Sequence, residues 1–150
     1  MEVTKVLDVT LDEMDVFVAD MVVRDIKEAT NRKITAEKIH PGYTYTKKLT
    51  GRNGKEGKVT TVIKELKSGC YHVTFKSAQG VNHLMYQYHS VNDDQQIELT
   101  YSETFESQGM TSSLNFRLMN FFYKHSSKRR IEKILYNIEV LINENRKVED

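Results

Sequence analysis

Glu103 is the residue whose position most suggests chemistry, because its carboxylate interrupts the apolar face of a predicted strand. Within the stretch QQIELTYSETF, alternation with a period of two predicts a strand whose apolar face carries Ile97, Leu99, Tyr101 and Phe105. Glu103 lies on that face, between the last two of these residues. Burial of an unpaired carboxylate raises its pKa or costs several kcal/mol, so we expect Glu103 to have a partner. It is either a structural residue with a satisfied charge or a polar anchor in a ligand site.

Tyrosines share faces on three predicted strands. Tyr43 lies on the same face as Tyr45, Tyr86 on the same face as Tyr88, and Tyr101 on the apolar face described above. A tyrosine offers an apolar ring with one hydroxyl, which suits the wall of a cavity for amphipathic molecules. Sheet propensity explains each tyrosine singly, although it does not explain their shared facing. The predicted ligand-binding residues are Tyr43, Tyr45, Tyr86, Tyr88, Tyr101 and Glu103.

The histidines and the cysteine do not form a recognisable metal or catalytic site. His83 and His89 share a strand face but are about 20 Å apart at the rise of a strand, whereas zinc ligands converge within about 2 Å of one point. Cys70 and His72 lack a third group that would orient the base and activate the thiol. We therefore predict no metal site, no cofactor and no catalytic residue.

The composition indicates one folded domain over residues 1–150. Hydrophobic residues make up 39% and charged residues 29% of the 150, which is typical of a globular domain that buries its own core. The formal charge of +1 produces no long-range field that would concentrate nucleic acid. The single cysteine fits a reducing compartment, and no apolar run resembles a signal peptide or a membrane span. We expect a cytoplasmic protein that binds neither nucleic acid nor membranes.

The first forty residues predict a strand and then a helix. Residues 2–9 alternate loosely, and Thr10 with Glu13 forms a capping box that starts a helix at about Leu11. The helix then runs into the sequence KEATNRK, in one piece or two. Its apolar face follows helical spacing through Met14, Phe17, Val18, Met21, Val22 and Ile26.

The remaining chain predicts a meander of strands followed by helices. Short alternating runs are separated by turn residues at Asn53-Gly54, Ser68-Gly69, Gln79-Gly80 and Asn92-Asp93-Asp94. A short helical segment follows, with Leu114, Leu118, Phe121 and Phe122. Ser126-Ser127 is predicted to divide it from a long amphipathic helix that ends near Asn145.

This order of elements resembles the START-like helix-grip superfamily, which includes the birch-pollen-allergen and polyketide-cyclase-like families. It resembles in particular a small, uncharacterised bacterial branch. The resemblance implies an α+β fold in which a curled antiparallel sheet of about six or seven strands surrounds the long C-terminal helix. It also makes the first and last strands antiparallel neighbours, which would place Lys5 opposite Glu103 and Leu7 opposite Tyr101. A cross-strand ion pair would then satisfy Glu103.

The resemblance further implies a cavity between the sheet and the C-terminal helix. We therefore expect a protein that binds a small hydrophobic or amphipathic ligand there. One alternative is an interaction module whose core is filled and whose function is homodimerisation. The other is an enzyme of cyclase, isomerase or hydrolase type that uses Glu103 as acid or base, with Tyr101 or Tyr88 as its partner.

Overall fold

Within the residues that the structure describes, the fold consists of one antiparallel sheet and two α-helices. The computed structural model describes residues 1–50, 56–107 and 113–149, and the surroundings of the side chains of residues 1–48, 56–106 and 128–148. In chain order the elements are β1 (Glu2–Leu7), α1 (Leu11–Thr30), a 3₁₀ turn (Ala36–Lys38), β2 (Tyr43–Thr50), β3 (Glu56–Lys67), β4 (Cys70–Ser77), β5 (Gly80–Val91), β6 (Gln96–Ser107) and α2 (Ser113–Glu149). This is the predicted order of elements, with six strands.

The sheet has the spatial order β1–β6–β5–β4–β3–β2, so four hairpins follow one another and β1 joins at the far edge. The predicted turns at Ser68-Gly69, before Gly80 and at Asn92-Asp93-Asp94 are confirmed. All three residues of the last turn have positive φ values, a conformation that Asn and Asp tolerate better than most residues. The predicted turn at Asn53-Gly54 lies outside the described residues.

The inner face of the sheet is apolar and carries the predicted tyrosines. Leu7, Ile63, Val73, Ile97 and Leu99 are fully buried, and Tyr45, Tyr71, Tyr86, Tyr88 and Tyr101 are almost so. Period-two alternation places all of them on one side of the strands. The register shifts between Ile63 and Glu65, which marks an irregularity in the β3–β4 ladder of the kind that bends a sheet. The sheet therefore curls and presents a concave apolar face.

Helix α1 starts as predicted. The hydroxyl of Thr10 accepts a bond from the Glu13 amide (3.2 Å), and the Glu13 carboxylate accepts one from the Thr10 amide (2.8 Å). The helix ends at Asn31, whose left-handed conformation (φ 61°) is a common stop signal. The buried stripe of α1 is Met14, Val18, Val22 and Ile26, at strict i, i+4 spacing.

Helix α2 is continuous, so the predicted break at Ser126-Ser127 is wrong. Serine costs a helix interior only about 0.5 kcal/mol relative to alanine, and good helix formers follow it in the sequence. Ile131, Leu135, Ile138 and Ile142 are buried along the described face of α2. The side chains of the predicted segment from Leu114 to Phe122 lie outside the described surroundings. No helix within the described residues has the length and apolar character needed to cross a membrane.

The predicted pairing of Lys5 with Glu103 is wrong, because β1 and β6 pair four residues away from the expected register. Lys5 lies opposite Leu99, and Leu7 lies opposite Ile97. The main chains of Met1 and Glu103 are hydrogen-bonded to each other. The Met1 amino group donates to the Glu103 carbonyl oxygen, and the Glu103 amide donates to the Met1 carbonyl oxygen, both at 2.8 Å. An even shift of register leaves every side chain on its predicted face, so the alternation pattern does not distinguish these pairings.

Candidate ligand-binding cleft

A cleft of about 960 Å³ lies between α1, the inner face of the sheet and the C-terminal part of α2. A buried stripe faces the core along α1, and the cleft borders the residues beside that stripe. Strands β2, β4 and β5 supply its sheet wall, and α2 supplies residues from Leu141 to Arg146. This volume falls in the range of small-molecule sites in proteins.

The inner wall of the cleft is aromatic and aliphatic. Its members include Phe17 and Met21 from α1, Tyr71 and Phe75 from β4, and Leu84 and Tyr86 from β5. The Tyr71 and Tyr86 rings meet edge to face, with centroids 5.7 Å apart. Burial raises the pKa of Tyr86 to about 12, so its hydroxyl stays neutral and can act as a hydrogen-bond donor.

Charged residues surround the mouth of the cleft. Asp12, Asp20, Arg24 and Glu28 form an exposed i, i+4 stripe along α1, together with Val16. At one end the Glu13 carboxylate accepts two hydrogen bonds from the guanidinium of Arg146 on α2, one of them 2.8 Å long. This contact and the bonds from Thr10 lower the pKa of Glu13 to about 2. The pair therefore joins the two helices where they border the cleft.

On the sheet side, Asp25 of α1 holds two side chains of β2. Its carboxylate accepts a short hydrogen bond from the Tyr45 hydroxyl and lies 3.1 Å from the ammonium of Lys47. The Lys47 ammonium also lies 5.5 Å from the centre of the Phe75 ring, which is a cation–π distance. Burial, followed by the bond to Asp25, raises the pKa of Tyr45. One cation of the protein itself is thus held between a carboxylate and an aromatic ring of the cleft.

Glu103 lies beyond the aromatic wall, where it is 4% exposed. Its carboxylate accepts hydrogen bonds from the Tyr101 hydroxyl (2.8 Å) and the Asn82 amide (3.1 Å), and the Arg130 guanidinium of α2 is 3.3 Å away. It is directly opposite Leu84 in the β5–β6 ladder. The carboxylate on the apolar face is therefore satisfied by its own strand, a neighbouring strand and a helix.

The sequence matches the model of a family described as Domain of unknown function (DUF3284) over residues 1–124. The chain belongs to the DUF3284 family. No curated protein matches this DUF3284 chain.

Solved structures with the same fold share little sequence with the DUF3284 chain. Ara h 8.0201 has a TM-score of 0.63 at 12% identity, over 96% of this chain and 97% of that one. A protein of unknown function from Staphylococcus aureus, SA2116, has a TM-score of 0.64 at 12% identity, over 98% and 94%. A conserved protein from Geobacillus kaustophilus has a TM-score of 0.54 at 17% identity, over 95% and 94%. The predicted START-like helix-grip fold is confirmed.

The DUF3284 structure distributes the six predicted site residues over four places. Tyr86 lines the described part of the cleft. Tyr101 and Glu103 form the buried polar cluster, and the Tyr86 and Tyr101 rings are 5.3 Å apart, so this cluster adjoins the cleft wall. Tyr45 and Tyr88 bond through their hydroxyls to Asp25 and Asp15 of α1. The sixth residue, Tyr43, is half-buried beside Tyr45.

The cavity was expected between the sheet and the C-terminal helix, but the contribution of α1 to its wall was not predicted. Phe17 and Met21 were predicted on the apolar face of the helix, and they lie half-buried beside its buried stripe, where they line the cleft. The sequence does contain one indication of the exposed side of α1. Asp12, Asp20 and Glu28 are eight residues apart, so they lie on one i, i+4 row that runs beside the apolar face. Arg146 carries no comparable signal, because its partner Glu13 is 133 residues away in the sequence.

Proposed function

We propose that this DUF3284 protein binds a small hydrophobic or amphipathic molecule in the cleft between the sheet, α1 and the C-terminal part of α2. The observation that carries the proposal is a cleft of about 960 Å³ along which four apolar or aromatic side chains, Phe17, Met21, Phe75 and Leu84, are only partly buried. A protein that had only to fold would gain free energy by burying these side chains against one another.

The chemistry of the walls supports an amphipathic ligand. The wall residues Phe17, Met21, Phe75 and Leu84 are half-buried, whereas the charged residues Asp12, Asp20, Arg24 and Glu28 are exposed. A ligand with an apolar body and one polar end could bury the body against Phe17, Leu84 and Tyr86 while its polar end stays near water. Few, well-placed polar groups on a largely apolar pocket are typical of small-molecule sites.

The proposal can be tested with N-phenyl-1-naphthylamine, a neutral apolar dye whose fluorescence increases when it leaves water. We expect saturable binding at one site per chain. Leu84→Trp adds volume to the cleft wall and should weaken dye binding by about tenfold, because an overfilled pocket excludes the ring system. Met85→Trp is the matched control, since Met85 is the next residue of the same strand and points to the opposite face.

Circular dichroism and the urea midpoint establish that both variants fold. Equal dye affinity in the two tryptophan variants would place the dye elsewhere and overturn the proposal. Native mass spectrometry of the protein purified from its own cells adds the identity of the ligand, because a mass excess that disappears on denaturation reports a bound molecule. A dye that fails to bind the unaltered protein would also count against the proposed function.

A further inference from the structure

The ratio of acidic to basic residues at the cleft differs from that of the whole chain. The sequence has 22 basic and 21 acidic residues, which nearly balance. The described lining of the cleft has five carboxylates and three cations: Asp12, Glu13, Asp20, Asp25 and Glu28 against Arg24, Lys47 and Arg146. The described lining of the cleft therefore has an acidic excess that the chain as a whole does not have.

Two of the three cations already have carboxylate partners. Lys47 pairs with Asp25, and Arg146 pairs with Glu13. In the described lining this leaves Arg24 to balance Asp12, Asp20 and Glu28, all of which are exposed on α1. Arg24 lies one helical turn from both Asp20 and Glu28, whereas Asp12 is about 18 Å from it along the helix axis. The part of the mouth between Asp12 and Asp20 therefore carries negative charge beside the apolar residues Val16 and Phe17.

The aromatic wall, like the carboxylates at the mouth, favours a ligand with a positive charge. The faces of aromatic rings attract cations, and the Lys47 ammonium already lies over Phe75 at 5.5 Å. A positive group entering the cleft would meet carboxylates at its mouth and the rings of Tyr71 and Tyr86 on its wall. A negative group would meet the same carboxylates with unfavourable sign and would find Lys47 and Arg146 occupied.

We propose that the ligand of this cleft is an amphipathic cation, with an apolar body held on the aromatic wall and a protonated amine or quaternary ammonium group near Asp12 and Asp20. This inference rests on the proposed function, because it names the chemical class of molecule that the same cleft takes. The apolar body accounts for binding, and the positive group accounts for selection among molecules with similar bodies.

Three probes with the same ten-carbon chain test the charge directly: decylammonium, decanol and decanoate, each titrated calorimetrically below the concentration at which it forms micelles. We expect decylammonium to bind about five- to tenfold more tightly than decanoate at about 20 mM ionic strength, with decanol between them. Raising the ionic strength to about 0.5 M should shrink the ratio severalfold, because exposed charges are screened within a few ångströms.

A double variant locates the effect. Asp12→Asn with Asp20→Asn should bring the affinity ratio of decylammonium to decanoate close to one and leave decanol binding unchanged. The matched control is Asp94→Asn with Glu132→Gln, which alters the net charge equally at exposed positions outside the described cleft lining. It should keep the full ratio.

The outcomes separate the two proposals. If all three probes bind equally, or decanoate binds best, the cleft remains a ligand site and the charge inference is overturned. If the control pair reduces the ratio as much as the cleft pair does, the preference comes from net charge and the inference again fails. If none of the probes binds, both the inference and the proposed function are overturned.

Discussion

Among the described side chains, two guanidinium–carboxylate pairs join α2 to the rest of the molecule, and they differ in how exposed the carboxylate is to water. Glu103 is 4% exposed and receives bonds from Tyr101 and Asn82 in addition to Arg130. Glu13 is 26% exposed and binds Arg146 through two hydrogen bonds at the edge of the cleft. The same two residue types thus form a buried polar network at one place and a helix–helix contact near water at the other.

The difference indicates where each pair has its effect. Removing the donors of a buried carboxylate, or the carboxylate itself, leaves a buried polar group without a partner and lowers the stability of the fold. A pair near water gains less, because solvent competes for both charges. We therefore expect the Glu103 pair to act mainly on stability, and the Glu13 pair to act mainly on how firmly the two helices border the cleft.

The largest effect is expected from Glu103→Ala. The substitution leaves the buried Tyr101 hydroxyl and the Asn82 amide without their acceptor and should lower the free energy of unfolding by about 3 kcal/mol. Urea denaturation measures the change, with the slope m unchanged. Glu98→Ala on the outer side of the same strand is the control and should cost less than about 0.5 kcal/mol. Similar losses in the free energy of unfolding for the two variants would show that the buried hydrogen bonds of Glu103 do not stabilise the fold more than an exposed ion pair does.

A smaller, pH-dependent effect is expected from Arg146→Gln. Hydrogen bonding to Arg146 contributes most to lowering the pKa of Glu13 from its ordinary value of 4.5 to about 2. A carboxylate whose pKa falls on folding stabilises the folded state above its unfolded pKa, and this contribution disappears as the pH falls through the folded pKa. The free energy of unfolding should therefore drop by about 1 kcal/mol at neutral pH, after allowance for solvent screening, and the difference should vanish between pH 4.5 and 2.

Thermal unfolding of both proteins from neutral to acidic pH measures that difference. Arg129→Gln is the matched control, since Arg129 is an exposed arginine of the same helix. A constant difference across the whole pH range would show that Arg146 acts through packing of its aliphatic part and not through Glu13.

The smallest effect is expected from Lys5→Met. Lys5 lies opposite Leu99 on the inner face of β1 and not opposite Glu103. Removing its charge should therefore change the free energy of unfolding by less than about 0.5 kcal/mol. A double-mutant cycle with Glu103→Ala should be additive. A coupling above about 1 kcal/mol would restore the ion pair predicted from the sequence and contradict the register.

The order of elements and the inner faces could be predicted from the sequence because both depend on local patterns. Alternation sets the faces of β5 and β6, and the capping box at Thr10 sets the start of α1. The partners of Glu103 could not be predicted, because Arg130 belongs to another element and an even register shift leaves the alternation intact. The contribution of α1 to the cleft was missed for a related reason, because Phe17 and Met21 share the helical spacing of the buried stripe beside them.

Strand β1 is synthesised first among the strands, but its neighbour in the sheet, β6, is synthesised last. The hairpins from β2 to β6 pair with near neighbours and can form as they are synthesised, whereas Thr4 meets Thr100 across 96 residues of sequence. Until β6 exists, β1 is an unpaired strand that could pair with another chain. A lysine between two apolar residues of a strand discourages such pairing. Lys5 lies between Val3 and Leu7 on the inner face, so we expect its charge to oppose such pairing before β6 has been synthesised.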